Sequence, residues 1–200
     1  MSIFNFIENI SYEIGNHIGR NDTDDDRELY GYAIFALLSQ TFTFGTGFIL
    51  AYLFGCFVPF LIVVISFIML RIGGGGYHCS CFRNCYITSL VIFFLGTILS
   101  YVGDTAPILM LFIGIFAGIF IFPICPKPSE NSPSRGYKGD IKFRKKYRNA
   151  LLLLIIANLL FIHYNMFLYA SAVSCGIIVT SIMISDTGEK IIDGIWRKLK

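Results

Sequence analysis

From Leu29 to Leu70 the chain carries no Asp, Glu, Lys, Arg or His across 42 residues. A bilayer's hydrocarbon core, about 30 Å thick, is crossed by about 20 helical residues, so this run suffices for two crossings. Gly55 and Pro59 mark the turn between them, which predicts spans over Tyr30–Phe54 and Phe57–Ile72. Apolar runs also cover Tyr86–Gly103, Thr105–Pro126 and Asn149–Ser185, the last broken only by His163. They predict crossings near Cys85–Tyr101, Ala106–Phe122, Asn149–Tyr164 and Phe167–Ile184. Both ends are different in kind. Ile3, Ile7, Ile10, Ile14 and Ile18 recur at helical spacing within residues 2–28, ahead of an acidic segment over 21–28. In the tail, residues 186–200, Ile191, Ile192, Ile195 and Trp196 repeat the pattern. The expected fold is an all-α integral membrane protein, one domain over residues 1–200, with about six transmembrane helices and amphipathic interfacial helices at both ends.

Composition agrees with this pattern: 55% hydrophobic and 14% charged residues is not a soluble balance. Where the charges sit matters more than the net +3. With six crossings, all 16 Lys and Arg residues fall on one side, many in the polar linker 126–148, and the three short opposite turns hold none. The positive-inside rule then predicts cytoplasmic N- and C-termini. The N-terminus lacks the basic and apolar regions of a secretory signal. Asp22, Asp24, Asp25 and Asp26 lack the glycine and closing glutamate of a calcium loop, so they read as partners of a helix N-terminus. Lys142, Arg144, Lys145, Lys146 and Arg148 serve topology and lipid headgroups; docking of an acidic peptide is the alternative.

One stretch, residues 71–85, breaks the apolar pattern: Arg-Ile-Gly-Gly-Gly-Gly-Tyr-His-Cys-Ser-Cys-Phe-Arg-Asn-Cys. Four glycines add no packing, so they serve a sharp turn or a close backbone approach. His78 and Cys85 supply a base near neutral pKa and a thiol that it can deprotonate. On one continuous helix they would share a face yet lie roughly 10 Å apart along the axis, too far for proton transfer. The segment must therefore fold back, with Cys85 near the start of the next helix. There the helix N-terminus, with Arg71 and Arg83 nearby, would favour the thiolate. The stretch reads as the active site of a membrane-embedded cysteine protease, at the cytoplasmic face, with Arg71 and Gly76 in support.

Other readings are weighed beside it. His78, Cys79, Cys81 and Cys85 have the ligand types for zinc, but not the Cys-x-x-Cys spacing. No cofactor or metal is expected. A small membrane peptide transporter would place ionisable groups within its crossings, where this chain has no Asp, Glu, Lys or Arg. A His/Cys metal-binding membrane protein without protease activity is the remaining alternative. Cys56, Cys125 and Cys175 lie in or beside apolar runs and are expected to be reduced core residues. His17 is expected to be solvated and His163 interfacial.

Arg71, Gly-Tyr-His at Gly76–His78, and Cys85 seven residues after the histidine resemble the accessory gene regulator B (AgrB) family of membrane endopeptidases. The length, the polar N-terminal helix, the paired apolar runs and the Pro- and Lys-rich linker extend the likeness over most of the chain. The resemblance implies that Cys85, with His78 as base, removes the C-terminal tail of a quorum-sensing signal propeptide of the AgrD type. A thioester acyl-enzyme would form, and a cysteine or serine of the propeptide would capture it as a thiolactone or lactone macrocycle. Expected partners are that propeptide and the lipid bilayer, with a homodimer as a permitted assembly and no nucleic acid. Cys79 and Cys81 are additional thiols beside the nucleophile, and no acidic residue near His78 in sequence orients its ring.

Overall fold

The computed structural model describes residues 3–19, 24–76, 81–127 and 136–198. Those residues form α-helices α1 (Ile3–Ile18), α2 (Asp24–Leu53), α3 (Phe57–Gly74), α4 (Phe82–Gly103), α5 (Pro107–Ile121), α6 (Gly136–His163), α7 (Phe167–Ile184) and α8 (Asp186–Lys198). A 3₁₀ turn, Phe122–Ile124, extends α5. Six helices, within α2 to α7, are long and apolar enough to cross a membrane. The all-α, six-crossing expectation holds.

Helix boundaries differ from the expected spans at several ends, and α4 runs from Phe82 to Gly103 rather than from Cys85 to Tyr101. α2 begins at Asp24, six residues before the expected Tyr30, so the end of the acidic segment is helical. α3 runs two residues past Ile72, through Gly73 and Gly74. α6 begins at Gly136, so the second half of the polar linker is helical. The prolines that forbid helix, Pro126, Pro128 and Pro133, all lie before it. Tyr147, fully buried, anchors this polar part of α6, and its hydroxyl donates to Gly118 O at 3.1 Å.

α7 is the hub. It is buried along almost its whole length and packs against α3, α4, α5 and α6. Its central side chains are small: Ala170, Ser171, Ala172, Ser174, Cys175 and Gly176. Lipid tails offer no hydrophobic driving force between helices, so close backbone approach must supply the attraction. A methyl group at Gly176 would fall 2.5 Å from Ser66 Cβ on α3, and one at Gly114 of α5 would meet Ser174 at 3.3 Å. Hydroxyls on α7 return to their own backbone, Thr180 to Gly176 O at 2.7 Å and Ser181 to Ile177 O at 2.9 Å. From α6, the buried Asn158 amide donates to Ala170 O at 2.9 Å and to Ser174 Oγ at 2.7 Å. On the opposite face of α6, Leu152, Leu153, Ile156, Leu159 and Leu160 are exposed, as side chains meeting lipid should be.

α1 packs on α2 through Ser11, Gly15 and Gly19, while Ile14 and Ile18 of the isoleucine stripe remain exposed. Gly15 lies so close to Gly31 that a methyl group would sit 2.5 Å from its Cα. Three-residue turns join α2 to α3, α4 to α5 and α6 to α7. Two are Schellman closures around a left-handed residue. At Gly55 (φ 69°), Cys56 N donates to Ala51 O and Gly55 N to Tyr52 O. At Asn165 (φ 58°), Met166 N donates to Phe161 O and Asn165 N to Ile162 O.

Gly176→Val should separate α3 from α7 and destabilise the bundle by about 1–3 kcal/mol, the usual range for overpacking. Unfolding in detergent would show a lowered midpoint; an unchanged one would mean that this contact has slack.

Candidate functional site

The end of α3 explains all four glycines. Gly73 and Gly74 are still helical and lie against α6 and α7: side chains there would collide with Tyr147 and with Ile184. Gly75 (φ 66°) and Gly76 (φ 118°) then take backbone conformations that L side chains rarely adopt. This turn is clamped by an isolated parallel bridge to Lys127, the residue after Pro126. Lys127 N donates to Gly74 O at 2.9 Å, and Gly76 N donates to Lys127 O at 3.3 Å. A methyl group at Gly75 would fall 2.5 Å from Lys127 O, and one at Gly76 would fall 2.5 Å from Arg71 Nη1. Both expected uses of the run, turn and close approach, occur together.

Arg71 occupies the last turn of α3, with its guanidinium carbon 5.8 Å from the centroid of the Phe67 ring. The structure therefore brings Arg71 and Gly76 together. Cys85 lies in the first turn of α4, after the extended N-cap residue Cys81, and its N–H donates to Cys81 O at 3.2 Å. Cys85 is half-buried and Cys81 exposed. His78 and Cys79 lie outside the described residues, as do Tyr77 and Ser80, so the His–Cys pair and the four-ligand zinc alternative both include residues beyond them.

Aromatic rings wall the first turns of α4. Phe82 meets Phe4 of α1 at 5.3 Å and Phe35 of α2 at 5.7 Å between centroids, and Tyr86 meets Phe42 at 5.3 Å. Next to Cys85, Asn84 is only 3% exposed, and its Oδ1 is a buried acceptor with no hydrogen-bond partner among the described residues. On another side, Trp196 of α8 donates from Nε1 to Thr88 Oγ1 at 3.0 Å.

Lys127 also joins the turn to α8. Its side chain is 12% exposed, and its ammonium lies 2.7 Å from Asp186 Oδ1 and 2.6 Å from Glu189 Oε2. Burial disfavours its charge, but the hydrogen bonds and charges of the two carboxylates outweigh that and hold its pKa above the ordinary value. Lys127 in turn holds the Asp186 carboxyl below the usual range. Cys125, just before Pro126, is the opposite case: burial pushes its thiol up to about 12 despite nearby Arg144. A thiol that stays protonated is no rival nucleophile, and Cys125 and Cys175 are core residues, as expected.

Lys127, Glu189, Asn84 and the pairing of Trp196 with Thr88 were not singled out by sequence reasoning. Lys127 is one of eight cations in the linker, and the one distinguishing signal is its place directly after a proline that closes an apolar run.

A family model described as accessory gene regulator B matches residues 7–184. No curated protein and no solved structure matches the chain.

Gly75→Ala and Gly76→Ala should each lower the unfolding midpoint, since left-handed backbone costs an L-residue about 1–2 kcal/mol before any clash. Gly45→Ala in open space on α2 should do the reverse, by about 0.5–1 kcal/mol. Equal shifts at all three positions would contradict the strained turn. The Lys127 ion pairs carry a pH signature. With its pKa depressed, Asp186 contributes fully above the ordinary carboxylate value of about 3.9 and is lost as pH falls through its lower folded value. With its pKa raised, Lys127 contributes fully below about 10.4 and is lost above that. Fluorescence of Trp196, the one tryptophan, should stay flat from about pH 5 to about pH 9 and change in stronger acid.

Proposed function

The chain belongs to the accessory gene regulator B family, and on that premise we propose that it is a cysteine endopeptidase and cyclase for a quorum-sensing propeptide. Family membership implies a role in quorum-sensing peptide processing, and the six apolar helices support a multi-pass membrane protein. The finer reading names Cys85 as nucleophile and His78 as base. The observation that carries it is the placement of Cys85 in the first turn of α4, in a chain whose family match runs over residues 7–184. A helix N-terminus stabilises a thiolate, which is the attacking species.

The chemistry balances as two acyl transfers. His78 takes the Cys85 proton, and Sγ attacks the carbonyl at the junction with the C-terminal tail of an AgrD-type propeptide. The C–N bond breaks, the tail leaves as an amine with the proton from His78, and a thioester remains on Cys85. A thiol or hydroxyl within the same peptide then attacks that carbonyl, giving its proton to His78. Cys85 leaves as thiolate and a thiolactone or lactone ring closes. The outcome depends on keeping water from the thioester, a demand that suits the aromatic wall of Phe4, Phe35, Phe42, Phe82 and Tyr86.

The site belongs on the cytoplasmic face with both termini. Arg71, Lys127 and Tyr147 of α6 share one end of the bundle with the ends of α3 and α7. The three short turns at the other end carry no Lys or Arg, the asymmetry that sets orientation.

Cleavage of a propeptide by membranes containing Cys85→Ala or His78→Ala should fall by about 10³-fold or more, while Cys79→Ala and Cys81→Ala stay near wild type. A propeptide lacking its ring nucleophile should leave a hydroxylamine-sensitive acyl group on Cys85. Full cleavage by an inserted Cys85→Ala protein would remove Cys85 from this role.

A further inference from the structure

Cys85 and the glycine turn lie on different helices, α4 and α3, separated by residues 77–80. Two contacts on α8 reach both sides. Near its start, Asp186 and Glu189 hold the Lys127 ammonium, and the Lys127 backbone holds Gly74 and Gly76. Near its end, Trp196 holds Thr88, three residues beyond Cys85 on α4. We infer that α8 is a clamp that sets the spacing between the glycine turn and the first turns of α4, and that Lys127 is a positioning residue through which it acts.

Three observations support this. The first is the number of bonds that converge on Lys127: two backbone hydrogen bonds to the turn and two side-chain contacts to α8. The second is its burial. An isolated exposed ion pair contributes little, and Asp186, 70% exposed, is mostly screened. Glu189 is drier at 36%, and Lys127 is drier still at 12%, so losing one partner leaves a poorly solvated charge. The third is the independent Trp196 contact, because a helix tied at one end only could not set a spacing. α8 itself is fixed against the bundle by Ile192 and Gly188, both buried. Ser185 caps it, with Oγ accepting from Gly188 N at 2.9 Å.

The assignment of a positioning role in catalysis rests on the cysteine-peptidase reading, so the test combines one readout that needs activity with one that does not. Lys127→Met leaves the backbone bridge chemically possible and removes only the side-chain pairing. It should raise hydrogen exchange of the amides in residues 71–76 by roughly tenfold or more, in line with the loss of hydrogen bonds to charged groups, while peptides of α7 stay unchanged. Propeptide kcat should fall roughly 10- to 100-fold with KM within about twofold, and Lys127→Arg should recover most of it. The double variant Asp186→Asn, Glu189→Gln removes the partners without touching the turn. It should reproduce both effects, and Lys127→Met should add little to it. Trp196→Phe should lower kcat in the same direction with residues 71–76 less affected.

Unchanged exchange in Lys127→Met, or unchanged kcat alongside raised exchange, would overturn the clamp. So would an additive triple variant. Should Cys85→Ala cleave normally, the peptidase reading fails on its own, and the exchange data still decide whether α8 holds the turn.

Discussion

Where α3 ends, its backbone runs against α6, α7 and Lys127 with no side chains of its own between them. Gly73 and Gly74 lie against Tyr147 and Ile184, Gly75 against the carbonyl of Lys127, and Gly76 against the Arg71 guanidinium. Removing Cβ atoms in succession lets α3, α6, α7 and Lys127, just past the 3₁₀ turn, meet at one end of the bundle. The same crowding fixes where the chain leaves α3 on its way to Cys85. The conformational entropy that four glycines lose on folding is offset by contacts that no larger residue could make.

Elsewhere the bundle solves the complementary problem of holding helices together in lipid. α7 presents serines, alanines and a glycine, and the hydroxyls of Thr180 and Ser181 are satisfied within the helix. Asn158 is the exception, reaching from α6 to the backbone of α7 and thereby fixing the register of that hairpin. A polar side chain at that depth is stable only with partners, so sliding α6 by one residue would break two hydrogen bonds. The first turns of α4 are enclosed differently, by aromatic rings from α1 and α2 and by the indole of α8. The half-buried thiol of Cys85 therefore sits among elements drawn from both ends of the sequence.

How much of this could be read beforehand follows from the physics of each feature. The crossings were legible because hydrocarbon tolerates few charges, and the run from Leu29 to Leu70 leaves one interpretation. The glycine run was legible as a turn or close approach, and Cys85 as a residue near a helix start. The partners of that run were not, because Lys127 and Tyr147 lie more than 50 residues away and only the proline before Lys127 marks either of them. Lys127 looked like one more topology signal, and Asn84 like an ordinary residue at a helix start. The start of α6 was hidden because Lys- and Arg-rich sequence reads as linker, although those residues are good helix formers once no proline intervenes. In α1 the isoleucine period was plain, yet the face that packs on α2 is the small one, Ser11, Gly15 and Gly19.

The turns at the far end have a mechanical consequence. Residues 54–56, 104–106 and 164–166 each join two helices within three residues, and two of the turns are locked by paired hydrogen bonds. Neighbouring helices thus cannot part at that end; they can only pivot about it. An 18-residue helix such as α3 is a lever of about 27 Å, and a tilt of about 5° displaces its far end by ~2 Å. That far end carries Arg71 and the glycine turn, which the Lys127 bridge and the contacts with Tyr147 and Ile184 hold in place. Any rocking of α3 about its turn is therefore smallest at the pivot and greatest at the glycine turn, where the contacts that pin Gly73 to Gly76 oppose it.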